Sequence, residues 1–262
     1  MRKAFCTFGV GPYAEVLDVA RPTFEKYCDL HGYQYFEQYP RIMGKLERPP
    51  AWGKVYMMME LLEDYDVVLW IDCDVLILKF DIDIDDCVPL EDIQAIVKHQ
   101  SGEAQIPSTG FWYARHEMIP YLEKIWSMEK FIHHQWWEQG AFQNLLGYDQ
   151  DLAYLLARPR RVRETELYHK TYILSEEWNS VDNENLNSEA RVMHFPSHDA
   201  HLRANLMRKW LAHEEDKSSG KCMQVKKDMD NDEQRNPGTD NGIGEFGSRE
   251  AEDPGQVRLH AN

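Results

Sequence analysis

Apolar and polar positions alternate along this chain between short extended runs and stretches with helical spacing. Residues Lys3 to Val10 alternate loosely and end in Gly9-Val10-Gly11-Pro12, which reads as a strand closed by a turn. A helix over 13–31 and a strand over 33–36 complete a β-α-β start. The stretch from Trp52 to Tyr65 places apolar residues at helical spacing and predicts an amphipathic helix. It runs into Val67-Val68-Leu69-Trp70-Ile71, an uninterrupted apolar run that predicts a buried strand. Further strands are expected over 93–98, 110–114 and 192–196, with a helix over 117–131 and another starting near Glu138. The segment Ser101-Gly102-Glu103-Ala104-Gln105-Ile106-Pro107 has the composition of a loop. Strands and helices in this alternation predict a single α/β domain, a mixed, mainly parallel sheet flanked by helices. Ligands of such sheets gather outside the carboxyl ends of the strands.

The buried run at 67–71 stops at Asp72-Cys73-Asp74. On an extended segment residues i and i+2 share a face, so Asp72 and Asp74 would approach one hard cation together. The plainer alternative is a pair of solvated acids capping a turn. Cys73, on the opposite face, reads as a buried filler. Gly9-Val10-Gly11 lacks the third glycine of a dinucleotide fingerprint, which excludes that class of site. The adjacent His133 and His134 do not have the spacing of a zinc pair on a helix.

The block Trp52, Lys54, Leu61-Leu62, Tyr65-Asp66-Val67-Val68 and Trp70-Ile71-Asp72-Cys73-Asp74-Val75 resembles the donor site of GT-A glycosyltransferases. The nearest likeness is to retaining galactosyl-, mannosyl- and xylosyltransferases, including the plant xyloglucan xylosyltransferases. Ser108-Thr109-Gly110-Phe111-Trp112, Trp137-Glu138-Gln139-Gly140-Ala141-Phe142 and Val192-Met193-His194-Phe195-Pro196 follow in the family's order. The likeness spans about residues 1 to 212.

This resemblance implies a nucleotide-sugar donor, in the first place a UDP-sugar, and a carbohydrate acceptor with a hydroxyl nucleophile. It implies donor contacts at Thr7, Phe8, Gly9, Lys54, Asp72, Ser108, Thr109, Gly110 and His198. Asp72, Asp74 and His194 would hold Mn²⁺, with Mg²⁺ as the alternative ion; two carboxylates and an imidazole leave octahedral positions for diphosphate oxygens. Glu138 and Gln139 fall where acid and amide groups lie under the transferred sugar, although the plant enzymes show Asp in place of Glu138. Retention is implied by the resemblance; an inverting reaction would need a general base, for which Glu138 is the candidate. The loop at 101–107 would border the acceptor entrance. His201, Arg203, Trp178 and Asn179 are secondary candidates, and Trp136 and Trp137 could stack on a sugar. Plainer roles stand beside each of these: packing and a turn at 7–9, a strand start at 108–110, a helix-start acid and surface amide at 138–139, and a structural histidine at 194.

Composition narrows the partners. A net charge of −16 argues against nucleic acid, whose phosphates call for a basic face. No apolar run approaches the roughly 18 to 20 residues of a membrane span. The chain as given reads as cytoplasmic, with a trimmed Golgi lumenal domain as the other option. Five cysteines without paired spacing read as reduced thiols. Residues 1–214 carry the catalytic domain, while 215–262, rich in Asp, Asn, Glu, Gly and Lys, read as a disordered tail. The rivals are a sugar nucleotidyltransferase, for which a glycine-rich basic loop is missing near the first strand, and a noncatalytic carbohydrate-binding or scaffold protein. The donor sugar, linkage and oligomeric state are not legible.

Overall fold

The computed structural model describes residues 1–41, 44, 47–101, 104–149, 160–181, 190–196 and 198–218. The chain begins as β1 (Lys3–Cys6), α1 (Tyr13–His31) and β2 (Tyr33–Phe36). Helix α1 stops where Gly32 turns left-handed at φ 71°, its N–H donating to the Cys28 carbonyl. Next come α2 (Gly53–Asp64), β3 (Val67–Ile71), β4 (Val75–Ile77), β5 (Gln94–Ser101) and β6 (Ala104–Arg115). Two helices follow, α3 (Ile119–Ser127) and α4 (Trp137–Leu145), and then the short β7 (Tyr148–Asp149), β8 (Arg160–Arg161), α5 (Glu166–His169) and β9 (Thr171–Ile173). The described chain closes with β10 (Ser180–Val181), β11 (Val192–His194) and α6 (Ala200–Ser218).

A six-stranded sheet in the order β2-β1-β3-β6-β5-β9 forms the centre. Strand β1 is parallel to β2 and β3, and β5 to β9, while β6 is antiparallel to both of its neighbours. A three-stranded sheet, β10-β11-β4, carries the chain beyond β3. The apolar run at 67–71 follows from this layering. Val67, Leu69 and Ile71 enter one apolar cluster with α1, β4, β11 and α6, whereas Val68 and Trp70 enter the other with α2, α3 and α4. Both faces of β3 are covered, so no position is left for a polar residue. Each such side chain contributes about 1.5–3 kcal/mol relative to exposure.

Three expectations change. The segment expected as a loop over 101–107 is strand at its described residues: Ser101 closes β5 and pairs with Ala104, and Gln105, Ile106 and Pro107 continue the ladder opposite Gln100, His99 and Lys98, while 102–103 lie outside the described residues. Strand β6 is longer than the 110–114 run because it pairs on both edges, with β3 and with β5. The helix expected over 117–131 divides, with single 3-10 turns at His116–Met118 and Glu129–Phe131 flanking α3. By contacts the chain divides into Met1–Glu215 and Asp216–Asn262, and the expected tail, beyond Ser218, lies outside the described residues. Among the described residues Cys6, Cys28, Cys73 and Cys87 are free thiols, and no helix is long and apolar enough to cross a membrane.

Candidate functional site

Strand pairing, rather than an extended Asp-Cys-Asp, brings the acids together. Strand β3 ends at Ile71 and residues 73–74 form a turn, so the same-face geometry expected for Asp72 and Asp74 is absent. Two ladders replace it. The β3–β6 register places Gly110 opposite Asp72, and the Asp72 N–H donates to the Gly110 carbonyl at 2.8 Å. Antiparallel pairing of β11 with β4 sets His194 opposite Val75, and Phe195 N–H donates to the Asp74 carbonyl at 2.9 Å. One ligand atom from each of Asp72, Asp74 and His194 thereby lies within 4.8 Å of the others.

Each of the three is held by one atom and presents another. Asp72 Oδ1 receives the Trp70 indole N–H at 2.7 Å and faces Lys54 Nζ at 2.9 Å. Asp74 Oδ2 receives Arg203 Nη1 at 2.5 Å, while Oδ1 faces His194 Nε2 at 3.5 Å. The histidine tautomer follows from its neighbour. Asn179 Nδ2 donates to the Lys98 carbonyl at 3.1 Å, so its Oδ1, 3.1 Å from His194 Nδ1, accepts a hydrogen bond from Nδ1–H. Nδ1 therefore carries the hydrogen and the Nε2 lone pair is directed at a carboxylate oxygen. Two acceptors facing one another call for a proton or a cation between them.

The space around this centre fits a cation. A Cβ built on Gly110 would lie 3.0 Å from His194 Cε1 and 3.2 Å from Asp72 Oδ2, so a side chain there would crowd the centre on that side. Two carboxylates and an oriented imidazole are a donor set for a divalent ion. Electrostatics favour charged ligands. Burial opposes ionisation of Asp74, but a proton between its carboxylate and His194 Nε2, which makes the imidazole cationic, together with the Arg203 guanidinium more than offsets it and holds the carboxyl at about 2.

A second buried group adjoins the first through Lys54. Its Nζ lies 2.9 Å from Asp72 Oδ1, 3.2 Å from Glu138 Oε1 and 3.2 Å from the Thr109 carbonyl. Burial disfavours the ammonium, yet the two carboxylates outweigh it and keep Lys54 above its ordinary pKa. Burial pushes the Glu138 carboxyl up, with Lys54 opposing. Glu138 Oε2 is buried without a hydrogen-bond partner, an acceptor that a ligand or water must satisfy. Gln139 Oε1 accepts the Thr109 N–H at 3.2 Å, and Ser108 Oγ accepts the Gly110 N–H at 3.1 Å.

Those last two bonds have a structural cause. The β5–β6 register jumps from Ile96 opposite Trp112 to Val97 opposite Ser108, leaving Thr109, Gly110 and Phe111 without partners on β5. At this irregularity side chains rather than strand partners accept the Thr109 and Gly110 N–H groups, and 108–110 lie beside Asp72 and Lys54. The sequence reading named these residues but not the bulge. A glycine directly after two small hydroxyl residues, Ser108 and Thr109, inside a strand was its only signal.

The remaining candidates fall in different surroundings. Thr7 is buried at the end of β1 with Oγ1 unpartnered, and Phe8 packs edge-on against Trp70 and Tyr39. A Cβ on Gly9 would lie 2.3 Å from the Tyr13 carbonyl oxygen, so Gly9 is required for helix α1 to approach. His198 supplies its backbone carbonyl to Arg203. Trp137 opens α4 at φ 40° and packs on the apolar cluster, a strained start directly before Glu138. Trp178 is buried against Phe111. The two residues missed as principal candidates are Asn179 and Arg203, whose roles depend on pairings across β11 and α6.

No family model matches the sequence, and no curated protein matches it. Solved structures do. A glycosyltransferase involved in glycosylation of the major capsid of PBCV-1 aligns with TM-score 0.54 and 14% identity, covering 79% of this chain and 99% of that one. The glycosyltransferase GlyE of Streptococcus pneumoniae TIGR4 aligns with TM-score 0.48 and 11% identity over 81% of this chain, which spans 64% of GlyE. An active-site mutant of LgtC aligns with TM-score 0.42 and 12% identity, over 79% of this chain and 95% of LgtC. The capsid-glycosylating enzyme establishes the likeness of fold: a mixed α/β architecture of the GT-A type.

Proposed function

We propose that this protein is a metal-dependent glycosyltransferase that moves a sugar from a nucleoside diphosphate sugar, in the first place a UDP-sugar, to a glycan hydroxyl. The observation that carries the reading is the convergence of Asp72, Asp74 and His194 at the carboxyl end of β3 in a GT-A type fold. Asp72, Asp74 and His194 would hold the divalent ion, and Mn²⁺ suits their mixed oxygen and nitrogen donors. When bound, the ion neutralises charge developing on the departing diphosphate.

The chain's own residues supply position. Lys54 and Trp70 hold Asp72, Arg203 holds Asp74, and Asn179 holds His194, so the ligand set is preorganised before a donor enters. Thr7, Phe8 and Gly9 lie at the end of β1 and would receive the nucleoside. The bulge at Ser108, Thr109 and Gly110 and the start of α4 frame the space next to the metal. There Glu138 Oε2 is an acceptor for a sugar hydroxyl, and Gln139 lies beside the anomeric face. His198 stands at the diphosphate side through its contact with Arg203. No residue in this set is a freely solvated base poised for inversion: Glu138 is tied to Lys54 and Thr109. This favours retention and the donor-block likeness to the xylosyl- and galactosyltransferases.

A panel of UDP- and GDP-sugars, incubated with purified protein and either Mn²⁺ or EDTA, tests the function. Metal-dependent release of nucleoside diphosphate from one donor, absent in Asp72→Ala, is expected and names the sugar to pair with glycan acceptors. Donor binding that is unchanged by EDTA and by Asp72→Ala, with no release in the presence of any acceptor, would make this a binding protein.

A further inference from the structure

We propose that Arg203 is a built-in counter-cation that makes the Asp72, Asp74 and His194 centre take its divalent ion together with a diphosphate rather than alone. The inference rests on the nucleotide-sugar reading given above. Arg203 Nη1 donates to Asp74 Oδ2 at 2.5 Å, and Nε and Nη2 donate to the His198 carbonyl at 3.2 and 2.8 Å. The guanidinium carbon lies 5.3 Å from the centroid of the Tyr13 ring. Its side chain is 13% exposed, so water screens the charge weakly.

A charge fixed on three N–H bonds and against a ring cannot withdraw when another cation arrives. Nor can it be lost, because a guanidinium keeps its proton across the working pH range. Lys54 stands in the same relation to Asp72 and also to Glu138. Before any ion enters, the carboxylates of Asp72, Asp74 and Glu138 face the cations of Lys54 and Arg203, leaving a small negative surplus that only a proton between Asp74 and His194 offsets, and an entering ion displaces that proton. A divalent ion gains two carboxylates and an imidazole but turns this surplus positive beside a fixed guanidinium. A diphosphate reverses the sign again, since its oxygens satisfy both the ion and Arg203.

Ion and diphosphate therefore favour one another, and the coupling is reciprocal. Arg203 is a positioning residue in this scheme. It orients Asp74 and sets the order in which charges enter, without touching the reacting carbon.

The test measures Mn²⁺ binding to the full chain from the paramagnetic resonance of free Mn²⁺, with and without UDP, against protein-free Mn²⁺–UDP mixtures. Wild type, Arg203→Gln and Arg203→Lys are compared. UDP is expected to tighten Mn²⁺ binding to wild type by about tenfold or more. Arg203→Gln is expected to bind Mn²⁺ alone about tenfold more tightly than wild type and to lose most of the UDP effect, while Arg203→Lys keeps the wild-type pattern. Equal Mn²⁺ affinity of wild type with and without UDP overturns the proposal, and it needs no variant to fold. Arg203→Gln that binds Mn²⁺ alone no better than wild type, yet binds it with UDP, also overturns it while leaving the metal centre intact. Absence of Mn²⁺ binding from all three proteins with UDP present removes the metal-centred function itself, and this proposal with it.

Discussion

Gly110 lies directly across the β3–β6 ladder from Asp72 and accepts its N–H at 2.8 Å, so the residue that fixes the acid's backbone is also the one that leaves its side chain room. A methyl group there would approach both Asp72 Oδ2 and His194 Cε1. Gly110→Ala is expected to fold, with a loss of about 1–3 kcal/mol from overpacking, and to lose Mn²⁺ binding at least about tenfold. Chemical unfolding and a Mn²⁺ titration read the two effects separately. Wild-type Mn²⁺ affinity in this variant would show that the cation lies elsewhere.

Among the three ligands, His194 is the one that Asn179 holds by a hydrogen bond to Nδ1. Replacing it with alanine frees the imidazole to rotate and removes the acceptor that fixes its tautomer. Mn²⁺ affinity should fall about 10- to 100-fold in Asn179→Ala. Asn179→Asp, which keeps an acceptor at the same place, should restore much of it. Equal affinity in all three proteins would remove His194 from the ligand set.

Lys54 is the buried joint between Asp72 and Glu138. Lys54→Met leaves both acids facing each other without a cation and should cost about 3–5 kcal/mol of stability in urea unfolding. Lys54→Met combined with Glu138→Gln removes one of the stranded charges and should recover part of that loss. Strictly additive losses would mean that the two side chains do not share an ion pair.

Stability at low pH follows from Asp74. Its folded value of about 2 lies below the ordinary 3.8, so its contribution is complete above the ordinary value and disappears as pH falls toward about 2. Unfolding free energy of wild type should drop through this window on the order of 2 kcal/mol more than that of Asp74→Asn. Parallel curves for the two proteins would contradict the Asp74, His194 and Arg203 cluster.

Much of this was legible in the sequence because local periodicity carried it. The span of α1 follows from apolar spacing, since its buried residues repeat with the helical period, and that of β3 from an unbroken apolar run that is buried on both faces. The acids at 72 and 74 were visible as a sudden stop in an apolar run. What brings them together was not, because it depends on β4 pairing with β11, more than a hundred residues later. The bulge at 109–111 was hidden for a similar reason. Only the offset between two strands reveals it: β6 read singly shows an ordinary glycine, and β5 shows none. Asn179 and Arg203 were secondary candidates because a side chain that works through another residue has no spacing signature of its own.

Anomalous diffraction from crystals of the protein grown with Mn²⁺ and UDP would test the centre most directly. A single strong Mn²⁺ peak bound by Asp72, Asp74 and His194, with diphosphate oxygens completing its coordination, is the expected result. A Mn²⁺–UDP complex seated away from these three side chains, or UDP bound there with no metal peak, would contradict it.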